Sequence, residues 1–64
     1  MKNQIRELRK RLGLRQEDIA IQLGVTRQTI NAIENNKYNP TLELAMKLAK
    51  LLNTQVENLF QLED

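Results

Sequence analysis

Arg27, Gln28 and Asn31 are the side chains in this sequence best suited to specific chemistry with a partner. That chemistry is hydrogen bonding rather than bond making. An arginine fork matches the two acceptors of guanine, and Gln or Asn pairs bidentately with adenine. Bond-making chemistry has little to work with. The 64 residues include no Cys and no His, which removes the usual nucleophile–base pairs and the commonest metal ligand. The carboxylates Glu17, Asp18, Glu34 and Glu43 show no spacing that suggests an acid–base pair or a metal site. The residues argue against an enzyme and imply no cofactor, metal or small-molecule ligand.

Such hydrogen-bonding groups need a scaffold, and the composition bounds it. Hydrophobic residues make up 41% and charged residues 28%, which is ordinary for a soluble globular domain. The expectation is one domain over residues 1–64. A chain of this size buries only ~60% of the surface it exposes when unfolded, so packing must be efficient or a partner must help. The charge is uneven. Residues 1–37 hold eight basic and four acidic side chains, whereas residues 38–64 hold two and four. A basic half favours an anionic partner on one face. No apolar run has signal-peptide length, and none approaches the ~20 residues that span a bilayer. The expected location is the cytoplasm, without a membrane partner.

The elements follow from periodicity and stop signals. Ile5, Leu8 and Leu12 recur at helical spacing before Gly13, which predicts a helix over about 3–12. A second helix starts near Gln16, with Glu17 and Asp18 in its first turn and Gly24 as its stop. Thr26 caps a third, about 27–35. Residues 35–40, Asn-Asn-Lys-Tyr-Asn-Pro, form a loop. Thr41 caps a fourth, about 42–52, with Asn53 as its stop. Thr54 and Glu57 read as a capping box that opens a short fifth helix carrying Val56, Leu59 and Phe60. Five short amphipathic helices predict a compact all-α bundle.

Residues 16–35 contain a more specific arrangement. Two helices crossing steeply over a tight turn need a small residue at the crossing, and Ala20 sits there. The turn needs a positive φ, which Gly24 supplies at little cost, and Val25 can pin it to the core. Ile19, Leu23, Ile30 and Ile33 hold both helices against the remainder. This is a complete helix-turn-helix pattern. It leaves the polar start of the third helix exposed, with Arg27, Gln28 and Asn31 outward. In helix-turn-helix proteins the second helix of the motif lies in the major groove with its first residues at base edges.

With these residues in place, the chain resembles the Cro/cI-type (XRE family) helix-turn-helix regulators of bacteria, phages and archaea. The matching strings are IRELRKRLGLRQEDIAIQLGV, TRQTINAIE, NPTLELAMKLAKLL and VENLF, which cover about residues 3–60. The stretch RQTINAIENNKYNPTLELA further resembles a subgroup of very short regulators that includes the cytolysin-operon repressor type. That subgroup implies a homodimer and a small β pairing of the chain ends, here MKN with QLED. The resemblance implies base contacts at Arg27, Gln28 and Asn31. It implies a phosphate contact at Gln16, which also braces the recognition helix. Thr26 and Thr29 match positions that cap or bond the backbone along the DNA. Asn35, Asn36 and Lys37 match the turn whose amides and side chains meet phosphates. Arg9 and Glu34 match a structural ion pair between the first and third helices. Arg15 departs from the usual Ser or Thr cap, and its charge either meets a phosphate or only aids solubility. Asn36 stands where Gly is commoner, and Asn also tolerates a left-handed backbone.

Other residues carry weaker signals. Tyr38 reaches a phosphate or packs on the fourth helix. Arg6, Lys10 and Arg11 neutralise phosphates or simply solubilise the first helix. Val56, Leu59 and Phe60 mark the expected dimer interface. A two-fold dimer presents two recognition helices about 34 Å apart and calls for a near-palindromic operator on double-stranded DNA. The acidic tail Glu63-Asp64 then lies away from the DNA. The expected function is a sequence-specific transcriptional regulator, in particular a repressor, since occupying an operator needs no further domain. The competing reading is a protein-interaction or antitoxin-like module on the same fold.

Overall fold

Seven short elements follow one another along the chain: β1 (Lys2–Asn3), α1 (Ile5–Arg11), α2 (Gln16–Leu23), α3 (Arg27–Glu34), α4 (Leu42–Leu51), α5 (Val56–Leu59) and β2 (Phe60–Gln61). The computed structural model describes residues 1–63. Of the expected acidic tail, Asp64 therefore lies outside the described residues.

The four longer helices end in the same way. After each, one residue adopts a left-handed backbone: Gly13 (φ 70), Gly24 (φ 71), Asn36 (φ 61) and Asn53 (φ 58). The next amide then bonds back across the last turn. Leu14 N–H reaches the Arg9 carbonyl at 3.0 Å, Val25 the Ala20 carbonyl at 3.0 Å, Lys37 the Ala32 carbonyl at 2.9 Å and Thr54 the Ala49 carbonyl at 2.9 Å. These are Schellman closures, which satisfy carbonyls that a helix end otherwise leaves unpaired. They also reverse the chain within two residues, so helices of seven to ten residues pack around one centre.

That centre takes side chains from every helix. Ile5, Ile19, Ile30, Ile33, Leu48 and Leu59 are fully enclosed, and Ala20, Ala45 and Ala49 fill the close approaches. The α2–α3 contact is the most extensive between elements, with Ala20 buried. The fold is therefore the expected helical bundle, and the chain ends do pair. The sheet is antiparallel, Lys2 opposite Gln61 and Asn3 opposite Phe60. It starts one residue earlier than the QLED stretch, because Phe60 leaves α5 in an extended conformation. A two-residue ladder cannot stand alone. This one is backed by buried Leu59 and Phe60, by Gln4 N–H on the Leu59 carbonyl at 3.0 Å and by the terminal ammonium on Glu63 at 3.0 Å.

Three local expectations are corrected. The first helix begins at Ile5 rather than residue 3, because Lys2 and Asn3 are held in β1. Leu12 is 51% exposed rather than inward, since α1 ends at Arg11 and the chain turns away toward Gly13. Thr54 does not cap α5. Its amide closes the end of α4, and Gln55 becomes the cap residue, its side chain taking no backbone amide.

The turn geometry carries a test. A Cβ built on Gly24 would meet nothing within 4 Å, so substitution costs backbone strain alone. Gly24→Ala should lose about 1–2 kcal/mol in urea unfolding, and Gly24→Asn should lose less.

Candidate nucleic-acid interface

Helix α3 is fixed in rotation by its buried side. Ile30 and Ile33 are enclosed, so Arg27, Gln28, Asn31 and Asn35 emerge together on the exposed face. Its start is capped by Thr26, in an extended conformation, whose Oγ accepts the Thr29 N–H at 3.2 Å. The Thr26 and Thr29 hydroxyls also bond each other at 3.0 Å. No acidic residue stands in the first turn, so the positive end of the helix dipole points outward uncancelled. Among the described residues, Arg27 and Gln28 enter no side-chain hydrogen bond or ion pair. Their donors and acceptors are open to a partner.

Beneath this face lies a buried carboxylate. The Glu34 side chain has no exposure. Arg9 donates to it twice, Nε to Oε2 at 2.8 Å and Nη2 to Oε1 at 3.2 Å. Gln16 Nε2 donates to Oε1 at 3.2 Å and Arg6 Nε at 3.4 Å. Arg9 Nη1 also bonds the Leu14 carbonyl at 3.0 Å. One carboxylate thus ties α1 and α2 to α3. Burial on its own pushes the Glu34 carboxyl upward. The bonds from Arg9 and Gln16, the Arg9 charge and the Arg6 bond outweigh it and hold the group below the usual carboxylate range.

The network continues outward to the face. Gln16 Oε1 accepts from Asn31 Nδ2 at 3.5 Å. Asn31 Oδ1 accepts from Asn35 Nδ2 at 3.2 Å, and Arg6 Nη2 donates to Asn35 Oδ1 at 3.0 Å. Asn31 is therefore oriented by the protein, whereas Arg27 and Gln28 ahead of it are not.

The remaining candidate residues separate into two groups at the two ends of α3. At its start, Arg9, Arg15, Gln16, Glu17 and Arg27 line an open cleft of about 450 Å³. Arg15 is partly engaged there. Its Nη2 meets Asp18 Oδ1 at 3.1 Å, and its N–H meets Asp18 Oδ2 at 2.7 Å. Asp18, not the side chain of Arg15, caps α2. These bonds hold the Asp18 carboxyl below its ordinary range. At the other end, the amides of Asn35, Asn36 and Lys37 bond the carbonyls of Asn31, Ile33 and Ala32 at 3.0, 3.1 and 2.9 Å. They close the helix, so this turn offers side chains rather than amides to a phosphate. Lys37 and Tyr38 are exposed.

Two residues have partners that the sequence does not reveal. Arg6, expected to neutralise phosphate or solubilise α1, instead bonds Glu34 and Asn35, and Asn3, expected in the chain-end strand or the first turn of α1, reaches the end of α3. Asn3 Nδ2 bonds the Ile33 carbonyl at 2.8 Å and Asn36 Oδ1 at 3.1 Å. Both contacts cross about 30 residues of sequence, and no local pattern signals them.

The buried carboxylate yields a stability test. Removing one partner of a buried pair costs about 3–5 kcal/mol, against roughly 3–10 kcal/mol of total stability for a chain of this length. Glu34→Ala should therefore lower the thermal midpoint in circular dichroism by more than about 10 °C. A depressed folded pKa stabilises above the unfolded value, about 4.3, and that stabilisation is lost as pH falls through the folded value. The urea midpoint should drop on acidification below about pH 4, and Glu34→Gln should flatten that drop.

Comparison with known proteins agrees with this geometry. The helix-turn-helix family model matches residues 5–59. The chain is 50% identical over 64 residues to an uncharacterised HTH-type transcriptional regulator of Methanocaldococcus jannaschii, covering all of this chain and 97% of that protein. It is 47% identical over 64 residues to the uncharacterised HTH-type transcriptional regulator YgzD of Bacillus subtilis, again covering all of this chain and 97% of that protein. Among solved structures, the restriction-modification controller protein C.AhdI from Aeromonas hydrophila superposes with a TM-score of 0.78 at 36% identity, over 88% of this chain and 85% of that one. The chain belongs to the Cro/cI-type (XRE) helix-turn-helix family of DNA-binding transcriptional regulators, which are not enzymes.

Proposed function

We propose that this regulator is a repressor that binds a near-palindromic operator as a homodimer, with α3 in the major groove. The observation that carries this reading is the pair Arg27 and Gln28, exposed and unengaged at the capped start of a helix locked from beneath by Glu34. Arg27 and Gln28 read base edges, and Asn31 adds a third, pre-oriented contact. Gln16, Arg15, Thr26 and Thr29 face a phosphate run at the start of α3. The side chains of Asn35, Asn36, Lys37 and Tyr38 face one beyond its end.

The proposed dimer surface lies at α5 and its flanks, with one change from the sequence reading. Leu59 is fully enclosed and Phe60 is 8% exposed, so both belong mainly to the chain's own core. The apolar surface beside them comes from Leu62 at 85% exposure and Met46 at 57%, with half-buried Met1 and Val56. Shallow depressions on either side of Val56 join these residues into one face. A self-complementary apolar face suits a two-fold dimer. The acidic side chain of Glu63 is bound to the amino terminus, on the sheet rather than on α3.

In vitro selection from random duplex DNA should return a near-palindrome. Gln28→Ala should relax a symmetric pair of positions by about 1–3 kcal/mol of discrimination each. No enriched motif from folded protein would favour the protein-interaction module instead. Leu62→Glu, a change at an exposed position, should shift sedimentation toward monomer and weaken operator binding; an unchanged dimer would move the interface elsewhere.

A further inference from the structure

We infer that Asn3 is a positioning residue for DNA binding: it sets which polar atom Asn36 presents to the phosphate backbone. The inference rests on the reading of the turn after α3 as a phosphate contact.

Every polar atom of the Asn3 side chain is engaged. Its Oδ1 accepts the Ile5 N–H at 3.1 Å. Its Nδ2 donates to the Ile33 carbonyl at 2.8 Å and to Asn36 Oδ1 at 3.1 Å. The Ile33 carbonyl also accepts the Asn36 N–H at 3.1 Å, within the left-handed turn that ends α3. Asn3 is itself held by β1, opposite Phe60. The last turn of α3 and the turn beyond it are therefore braced together from the chain-end sheet.

The consequence is one of polarity. A carboxamide has an acceptor end and a donor end. A donor from Asn3 holds the Asn36 oxygen inward, which leaves Asn36 Nδ2 as the outer group, with no partner among the described residues. An N–H donor suits a phosphate, whereas an outward carbonyl oxygen repels one. The three amides of this turn close the helix, so the orientation of the Asn36 side chain decides whether position 36 attracts or opposes the backbone of DNA. Neighbouring Lys37 supplies charge, but a flexible ammonium fixes no register.

The test measures binding to a labelled random-sequence duplex at low salt, since phosphate contacts need no operator. Asn3→Ser keeps an oxygen for the Ile5 amide and loses the longer carboxamide NH2 that reaches Ile33 and Asn36. It should bind about tenfold more weakly, the scale of one hydrogen bond to a charged group. In an Asn36→Gly background, which retains the left-handed turn, the same change should cost nothing further. Wild-type affinity in Asn3→Ser overturns the inference, as does an equal loss in both backgrounds. If Asn36→Gly and Lys37→Ala both bind like wild type, the phosphate reading of the turn falls and takes this inference with it. A weaker Lys37→Ala beside an unaffected Asn3→Ser rejects the inference alone. If Asn3→Ser fails to fold, side-chain amide exchange in the wild type decides. Slow exchange at Asn3 with fast exchange at Asn36 supports the assignment, and the reverse overturns it.

Discussion

The enclosed carboxylate of Glu34 is the constraint around which this small domain is arranged. An ionised group without exposure must be matched by donors, or its burial costs several kcal/mol. Here Arg9, Gln16 and Arg6 supply them. Those donors come from α1 and α2, while the carboxylate stands in the last turn of α3. An apolar core tolerates small sliding of its helices, but a bidentate guanidinium–carboxylate pair does not. Helix α3 is therefore positioned by directional bonds on one side and by Ile30 and Ile33 on the other.

The same donors connect stability to recognition. Gln16 touches Glu34 with one end of its amide and Asn31 with the other. Arg6 touches Glu34 and Asn35. A polar chain thus runs from a buried charge to the exposed face of α3, the face proposed to meet DNA. Preorganisation of this kind lowers the ordering cost of binding. Arg27 and Gln28 are left out of the chain and retain their rotational freedom, which suits the base contacts proposed for them.

Short helices make their ends as important as their middles. In a helix of eight residues, four amides and four carbonyls lack internal partners. The repeated left-handed closures satisfy the carbonyl ends of four helices. Thr26 and Thr41 accept amides at the starts of α3 and α4. The turn after α3 has a further brace in Asn3, which joins the two-stranded sheet to the far end of α3.

Local chemistry made much of this legible in the sequence. Gly13, Gly24, Asn36 and Asn53 announced left-handed stops because few other residues adopt that backbone. Apolar spacing announced the buried face of α3, and hence the exposed placement of Arg27, Gln28 and Asn31. The pairing of Arg9 with Glu34 was legible through family resemblance, not through any local rule. Tertiary structure alone decided the rest. It joined Arg6 and Asn3 to the bonds around α3, closed the amides of residues 35–37 within the helix end, gave the end of α4 precedence over a cap at Thr54, and turned Leu59 inward while leaving Leu62 outside. Each of these depends on which distant group reaches a given atom first. Periodicity and propensity report on neighbours a few residues apart, whereas contacts across 25 to 33 residues exist only once the helices have packed.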